Sequence, residues 1–313
     1  MMNDIVDHFQ DTVEKLVPNF GKSEDKLGLA VSGGPDSLAL LLLAGEIFPD
    51  RIAAATIDHG LRPEAKAEAE MVANLCNDRN IPHAILRPTI PIRGNIQSEA
   101  RKVRYNLLLS WMERENIAWL ATAHHANDQL ETLIMRVLRG SGIDGMSAIR
   151  AKRGYLIRPL LHLSKTDLEE YLKSKSITAI DDPSNHDQSF DRVRVRKALA
   201  QLDGFNIALA SQSAAALDDA RKAINWIVED LASKKIEQAN DHCTLKATDF
   251  PHEILRRLVL RCLHICDPAL SPRGQQLSRI IKALQQGETV TIGNTLCKGG
   301  VTWRFEPAPK RKN

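Results

Sequence analysis

Over its first two-thirds the chain alternates short apolar runs with longer stretches whose apolar residues recur every three or four positions. Residues 27–31 predict a buried strand, and residues 37–47 a helix behind it. The same reading predicts strands at 51–57, 83–86 and 118–122 and helices at 64–79, 97–114 and 128–138. Parallel neighbours need a crossover, usually a helix, so this alternation predicts an α/β fold with a doubly wound parallel sheet covered on both faces.

Beyond about residue 200 the pattern changes. Asp203-Gly204 makes a break, and helices are expected at 207–234, 253–262 and 275–285. Residues 288–306 place Gly293, Gly299 and Gly300 between runs holding Val, Thr and Trp, which predicts small strands. The expected division is therefore a catalytic domain at 1–202 and a smaller, mostly helical domain at 203–313. The tail Lys310-Arg311-Lys312 is expected to be disordered.

Composition narrows this picture only slightly. The chain has 313 residues, 43% hydrophobic and 26% charged, with a net charge of +3. That balance is ordinary for a globular protein and too mild to argue nucleic-acid binding unaided. Five scattered cysteines form no disulfide framework. Cys262 and Cys266 share a helical face that His264 leaves, so buried or free thiols are expected rather than zinc. The N-terminus has no signal-peptide pattern, and the longest apolar run, 38–44, is far short of a membrane span. A cytoplasmic protein without a membrane partner is expected.

The strongest chemical signal is Ser32-Gly33-Gly34-Pro35-Asp36-Ser37, set between the first strand and first helix of the alternation. Glycines let backbone approach a ligand, and the helix start offers unpaired N–H groups and the positive dipole end. Phosphate is the ligand that suits this arrangement. No Gly-Lys-[Ser/Thr] follows, so this is not a Walker A loop.

The hexapeptide resembles the SGGxDS loop of the ATP-pyrophosphatase, or PP-loop, family, whose members split ATP between the α- and β-phosphates and pass AMP to an oxygen. Further stretches resemble the tRNA(Ile)-lysidine synthases within it. These are Asp58-His59-Gly60-Leu61-Arg62, Arg101-Lys102-Val103-Arg104-Tyr105, and His124-His125-Ala126-Asn127-Asp128-Gln129-Leu130-Glu131-Thr132. Arg139-Gly140-Ser141-Gly142, Arg158-Pro159-Leu160-Leu161 with Lys165, and Asp182-Pro183-Ser184-Asn185 before Phe190, Arg192 and Arg196 follow in order. The likeness covers roughly residues 27–200 and loosens beyond them. Asn127 stands where many members carry an acid, and no role is assigned to it.

The resemblance implies ATP and Mg2+ as cofactors, with Asp36 and Asp128 toward the metal. It implies ATP contacts from Ser32, Gly33, Gly34, Pro35, Asp36, Ser37, Ile57, His59 and Arg62. Asp36, His124, His125, Asp128 and Glu131 are the expected catalytic residues, with one histidine serving the adenylation transition state. Arg101, Arg104, Arg192, Arg194 and Arg196 are expected to meet tRNA or substrate; on an extended segment the last three would share a face. The implied partners are tRNA-Ile with a CAU anticodon and L-lysine, and a homodimer is compatible with them. Other PP-loop activities, such as tRNA thiolation or amidation, form the alternative. A thiolase needs a placed cysteine, and none falls between Asn77 and His242.

Two local readings compete with function. Asp128 with Glu131 three residues on reads as a capping box at a helix start. Leu130, Leu133, Ile134, Val137 and Leu138 would then form that helix's buried stripe, with both acids off its centre.

Overall fold

A computed structural model describes residues 2–60, 64–88, 96–179, 191–201 and 206–309. The chain separates into two compact units, Met1–Asp218 and Asp219–Asn313. The expected boundary at 202/203 and the basic tail fall outside the described residues.

The first unit is built on a six-stranded sheet. Its strands are β1 (Leu27–Ala30), β2 (Ile52–Ile57), β3 (His83–Leu86), β4 (Trp119–Ala121), β5 (Lys152–Arg153) and β6 (Leu156–Ile157). Their order is β3-β2-β1-β4-β6-β5, parallel throughout except for β5, which turns back along β6. Its helices are α1 (Met2–Leu16), α2 (Pro35–Ile47), α3 (Glu64–Asn77), α4 (Ile96–Arg114), α5 (Ala126–Leu138), α6 (Ile143–Met146), α7 (Lys165–Ser174) and α8 (Asp191–Ala200). Next in sequence comes α9 (Ile207–Lys235).

The two-residue period of strands sorts the core into two layers. Leu27, Leu29, Ala54, Ala121 and Ile157 face one layer, packed with Phe9, Val13 and most of α2. Ala53, Ala55, Leu120 and Leu156 face the other, against Leu108, Trp111 and Met112 of α4. Gly28 lies where Trp111 presses on β1; an added Cβ would come 2.8 Å from the indole. Leu38, Leu40, Leu41 and Leu43 of α2 are fully buried. Each contributes about 1.5–3 kcal/mol over exposure to water. Among the described residues no helix is long and apolar enough to cross a membrane.

In the second unit a five-stranded sheet runs β7-β8-β11-β10-β9, antiparallel at every junction. These strands are Ile236–Gln238 (β7), Cys243–Leu245 (β8), Thr289–Ile292 (β9), Thr295–Lys298 (β10) and Trp303–Pro307 (β11). Helices α10 (His252–Cys266) and α11 (Gly274–Gln285) pack Leu258, Leu263, Leu277 and Leu284 against Leu245, Trp303 and Phe305. All five cysteines are free thiols, four buried and Cys266 half-buried. His264 turns away to the Leu270 carbonyl at 2.9 Å, as helical spacing predicts.

Candidate active site

Strand order decides where the chemistry gathers. The chain runs outward from β1 to β2 and β3, then returns to pair β4 on the other side of β1. The loops after β1 and β4 therefore diverge at a topological switch point, the crevice where open α/β sheets bind ligands. Ser32, Gly33, Gly34, Pro35, Asp36 and Ser37 leave β1 there, and His124 and His125 leave β4.

The glycine loop is held by its own side chains. Ser37 Oγ accepts from the Ser32 N–H at 3.1 Å and donates to the Gly34 carbonyl at 2.9 Å. Gly33 sits at φ +86°, a conformation that side chains with a Cβ rarely adopt. Gly34 is the N-cap of α2 without a side-chain cap, and Pro35 begins the helix. The first-turn N–H groups of α2 thus face the crevice beneath a fixed backbone.

Opposite the loop a chain of charges starts at Asp36. His125 Nε2 lies 3.4 Å from Asp36 Oδ2 and 3.7 Å from Asp128 Oδ2. Asp128 Oδ1 accepts from Arg192 Nη2 at 2.9 Å, and Arg192 Nε donates to Glu131 at 2.7 Å. Arg196 Nε donates to the other Glu131 oxygen at 2.6 Å. Glu131 is only 4% exposed, so two arginines compensate a carboxylate removed from water.

The paired histidines have opposite electrostatics. Burial disfavours the His125 imidazolium, but the bond to Asp36 and the charges of Asp128, Asp36 and Glu131 outweigh it and hold its pKa above the ordinary value. Burial pushes His124 down to about 4, helped by Arg158, Arg192 and Arg101 against the pull of Asp128. His124 Nδ1 shares a hydrogen bond with Thr122 at 3.0 Å. Burial also works to raise Asp128, yet His125 and Arg192 keep it below the usual carboxylate range.

Three expectations change. The N-cap of α5 is His125, not Asp128, because the helix begins at Ala126; Asp128 is its third residue and accepts the His125 N–H at 3.1 Å. The buried stripe is rotated: Glu131 is buried among its arginines, while Val137 and Leu138 are 52% and 74% exposed. The basic cluster is helix α8 rather than an extended segment, so Arg192 and Arg196 meet Glu131 one turn apart, while Arg194 lies beside Met135, Leu138 and Arg139.

The other expected residues lie around this centre. Ile57 ends β2, and His59 follows with both ring nitrogens buried and unpartnered among the described residues. Burial and the Arg104 charge lower the His59 pKa against Asp58. Arg62 lies outside the described residues, as do Asp182 to Phe190. Arg101 and Arg104 ride exposed on α4, Arg101 stacked 5.1 Å from the Tyr105 ring. Arg158 received no role from sequence, yet it is 7% exposed after β6 and depresses His124. The signal was legible: an arginine between Leu156-Ile157 and Pro159-Leu160-Leu161 interrupts an apolar run. Asn127 accepts the Lys165 N–H at 2.9 Å, tying α5 to the start of α7. Gln129 exchanges two hydrogen bonds with the backbone of Ile149, at 2.8 and 2.7 Å.

Residues 5–202 match a family described as PP-loop domain. A tRNA(Ile)-lysidine synthase of Zymomonas mobilis is 41% identical over 92% of this chain and 90% of its own length. The chain belongs to the tRNA(Ile)-lysidine synthase family. Another member, from Novosphingobium aromaticivorans, is 37% identical over 91% of this chain and 90% of its own. A U34-tRNA thiolase structure from Methanococcus maripaludis superposes with a TM-score of 0.57 at 16% identity, over 70% of this chain and 78% of that one. This likeness extends to the fold.

Asp36 and Asp128 suit a hard cation. Asp36 Oδ1 is buried with no partner among the described residues, and both carboxylates converge on one imidazole. Among the described residues no group of three or more acids, histidines or cysteines is arranged to hold a metal ion without further ligands. Mg2+ needs no such group, because it takes one or two carboxylates and completes its shell with phosphate and water.

Proposed function

We propose that the protein modifies tRNA-Ile bearing a CAU anticodon, using ATP and free lysine to form lysidine at the wobble cytidine. The cytidine C2 oxygen attacks the α-phosphate of ATP, and pyrophosphate leaves. The lysine ε-amine then attacks C2, and AMP leaves with that oxygen. Mg2+, held by Asp36 and Asp128, would neutralise polyphosphate charge.

One observation carries the assignment: the Asp36–His125–Asp128 contacts join the glycine loop to the β4 edge across the switch point. In this reading the loop amides and Ser32 hold the departing pyrophosphate. His125 offers positive charge where the α-phosphate becomes pentacovalent, and neutral His124 offers a hydrogen bond beside it. His59, Ile57 and Arg62 serve the nucleoside end. Lysine is a zwitterion, and it matches a site that alternates sign: Asp128 and Glu131 for ammonium, Arg192 and Arg196 for carboxylate. The amine must shed a proton before attack, since its ordinary pKa is near 10.4. Arg101 and Arg104 meet RNA phosphate, residues 203–313 assist in gripping the tRNA, and the reaction takes place in the cytoplasm.

Radiolabelled lysine, ATP, Mg2+ and tRNA-Ile transcripts test this. Label entering the CAU transcript but not one with an altered wobble base, with AMP released, supports it. AMP released without lysine incorporation points to a different acceptor, and no ATP consumption removes the enzyme reading.

A further inference from the structure

Helices α5 and α8 enclose a second feature beyond their charged face. A groove of about 330 Å³ opens between them, lined by Met135, Leu138, Arg139, Arg194, Val195 and Ala198. Four of these are apolar and two are arginines. Leu138 is 74% exposed, although helical periodicity assigns it to the buried stripe. Isolated exposed leucines are common, but this one belongs to a concave apolar floor with cations at its rim. Sequence grouped Arg194 with Arg192 and Arg196; the helix turns it out of the charged centre and into this groove.

We propose that this groove seats one unstacked nucleobase of the RNA loop, a neighbour of the nucleotide that reacts, with Arg139 and Arg194 on its phosphates. The inference rests on the reading that a tRNA anticodon loop is the substrate. Bases have apolar faces and carry a phosphate on each side, so a floor of Met, Leu, Val and Ala between two arginines complements them in shape and charge. A nucleotide drawn into a pocket must leave its stack, which strands the base beside it. Position agrees. Leu138 stands seven residues along α5 from Glu131, about 10 Å at 1.5 Å per residue. Stacked nucleotides rise about 3.4 Å each, so the groove lies within a few nucleotides of the reacting base.

The full-length protein with tRNA-Ile transcripts tests this through Leu138→Ser and Arg194→Gln, alongside transcripts made abasic at single loop positions. Leu138→Ser raises the KM for tRNA about 10-fold, the scale of losing one base contact. ATP affinity by calorimetry stays unchanged. Arg194→Gln lowers the salt slope of binding by about one. One abasic position weakens the wild type to the same extent and weakens Leu138→Ser no further. Equal losses in both proteins at every abasic position, or an unchanged KM in Leu138→Ser, overturn the proposal. So does conversion of a dimer to a monomer by Leu138→Ser with tRNA binding intact, which assigns the groove to a second copy. If the wild type neither binds nor modifies the transcript, the functional reading falls with it; if it does both and Leu138→Ser matches it, only the groove falls.

Discussion

In the parallel unit, Asp36, His59, His125, Arg158 and His162 each keep a buried nitrogen or oxygen without a partner among the described residues; in the antiparallel unit Thr295 alone does so. A buried polar atom left unpaired costs about 1–3 kcal/mol. The second unit largely avoids that cost by closing a core of Leu258, Leu263, Trp303 and Phe305 around its thiols. The first accepts it, and four of its five unsatisfied residues lie at the C-terminal ends of β1, β2, β4 and β6. Unmet hydrogen-bonding capacity therefore marks where a ligand belongs, and cysteine-rich packing marks where stability is set.

Substitutions can break this contrast. Asp36→Asn should have the largest effect, cutting AMP formation by at least about 10³-fold while the melting temperature holds, since the lost group acts on charge developing in the transition state. A matching fall in melting temperature would make Asp36 structural. Trp303→Ala should do the reverse, costing about 3–5 kcal/mol in urea unfolding of the second unit with ATP affinity retained. Glu131→Gln comes next. It leaves Arg192 and Arg196 short of a countercharge, but both are about two-fifths exposed, so a loss of about 1–2 kcal/mol is expected, with weaker lysine binding by calorimetry.

A pH series sharpens the comparison. His124 and His162 are each pushed down to about 4, first by burial. The unfolded chain takes up protons near pH 6.5 that these folded rings refuse, so stability falls as pH drops from about 6.5 toward 4 and is unaffected above that window. His162→Leu should flatten part of that acid limb; an unchanged slope would show that His162 does not contribute. The smallest change is expected from Cys266→Ser, with AMP formation within about twofold of wild type, because Cys266 lies in the second unit outside the charged centre.

Legibility followed the same division. β1 to β4 could be read as short apolar runs between helices, as in Leu27-Gly28-Leu29-Ala30, whereas β5 and β6, two residues each, are too short to show a pattern. β7 and β8 could not: each has three residues, and β7 shows solvent Glu237 and Gln238. In the site, sequence named the members and missed their pairings. Whether Glu131 faces solvent or two arginines depends on where α8 packs, which no local pattern encodes. The α5 cap was misplaced by three residues because Asp is a good residue both at the N-cap and within the first turn.

Gln129 imitates a strand neighbour, offering its amide to both polar groups of the Ile149 backbone. That pairing acts as a key against rolling of the cylinder it belongs to. Side-chain ends on a helix stand about 5–6 Å from its axis, so a roll of about 20° would sweep the neighbouring Asp128 carboxylate by about 2 Å. Productive geometry tolerates about 0.5 Å. A single uncharged amide, touching no reactant, thereby sets the aim of the acids beside it.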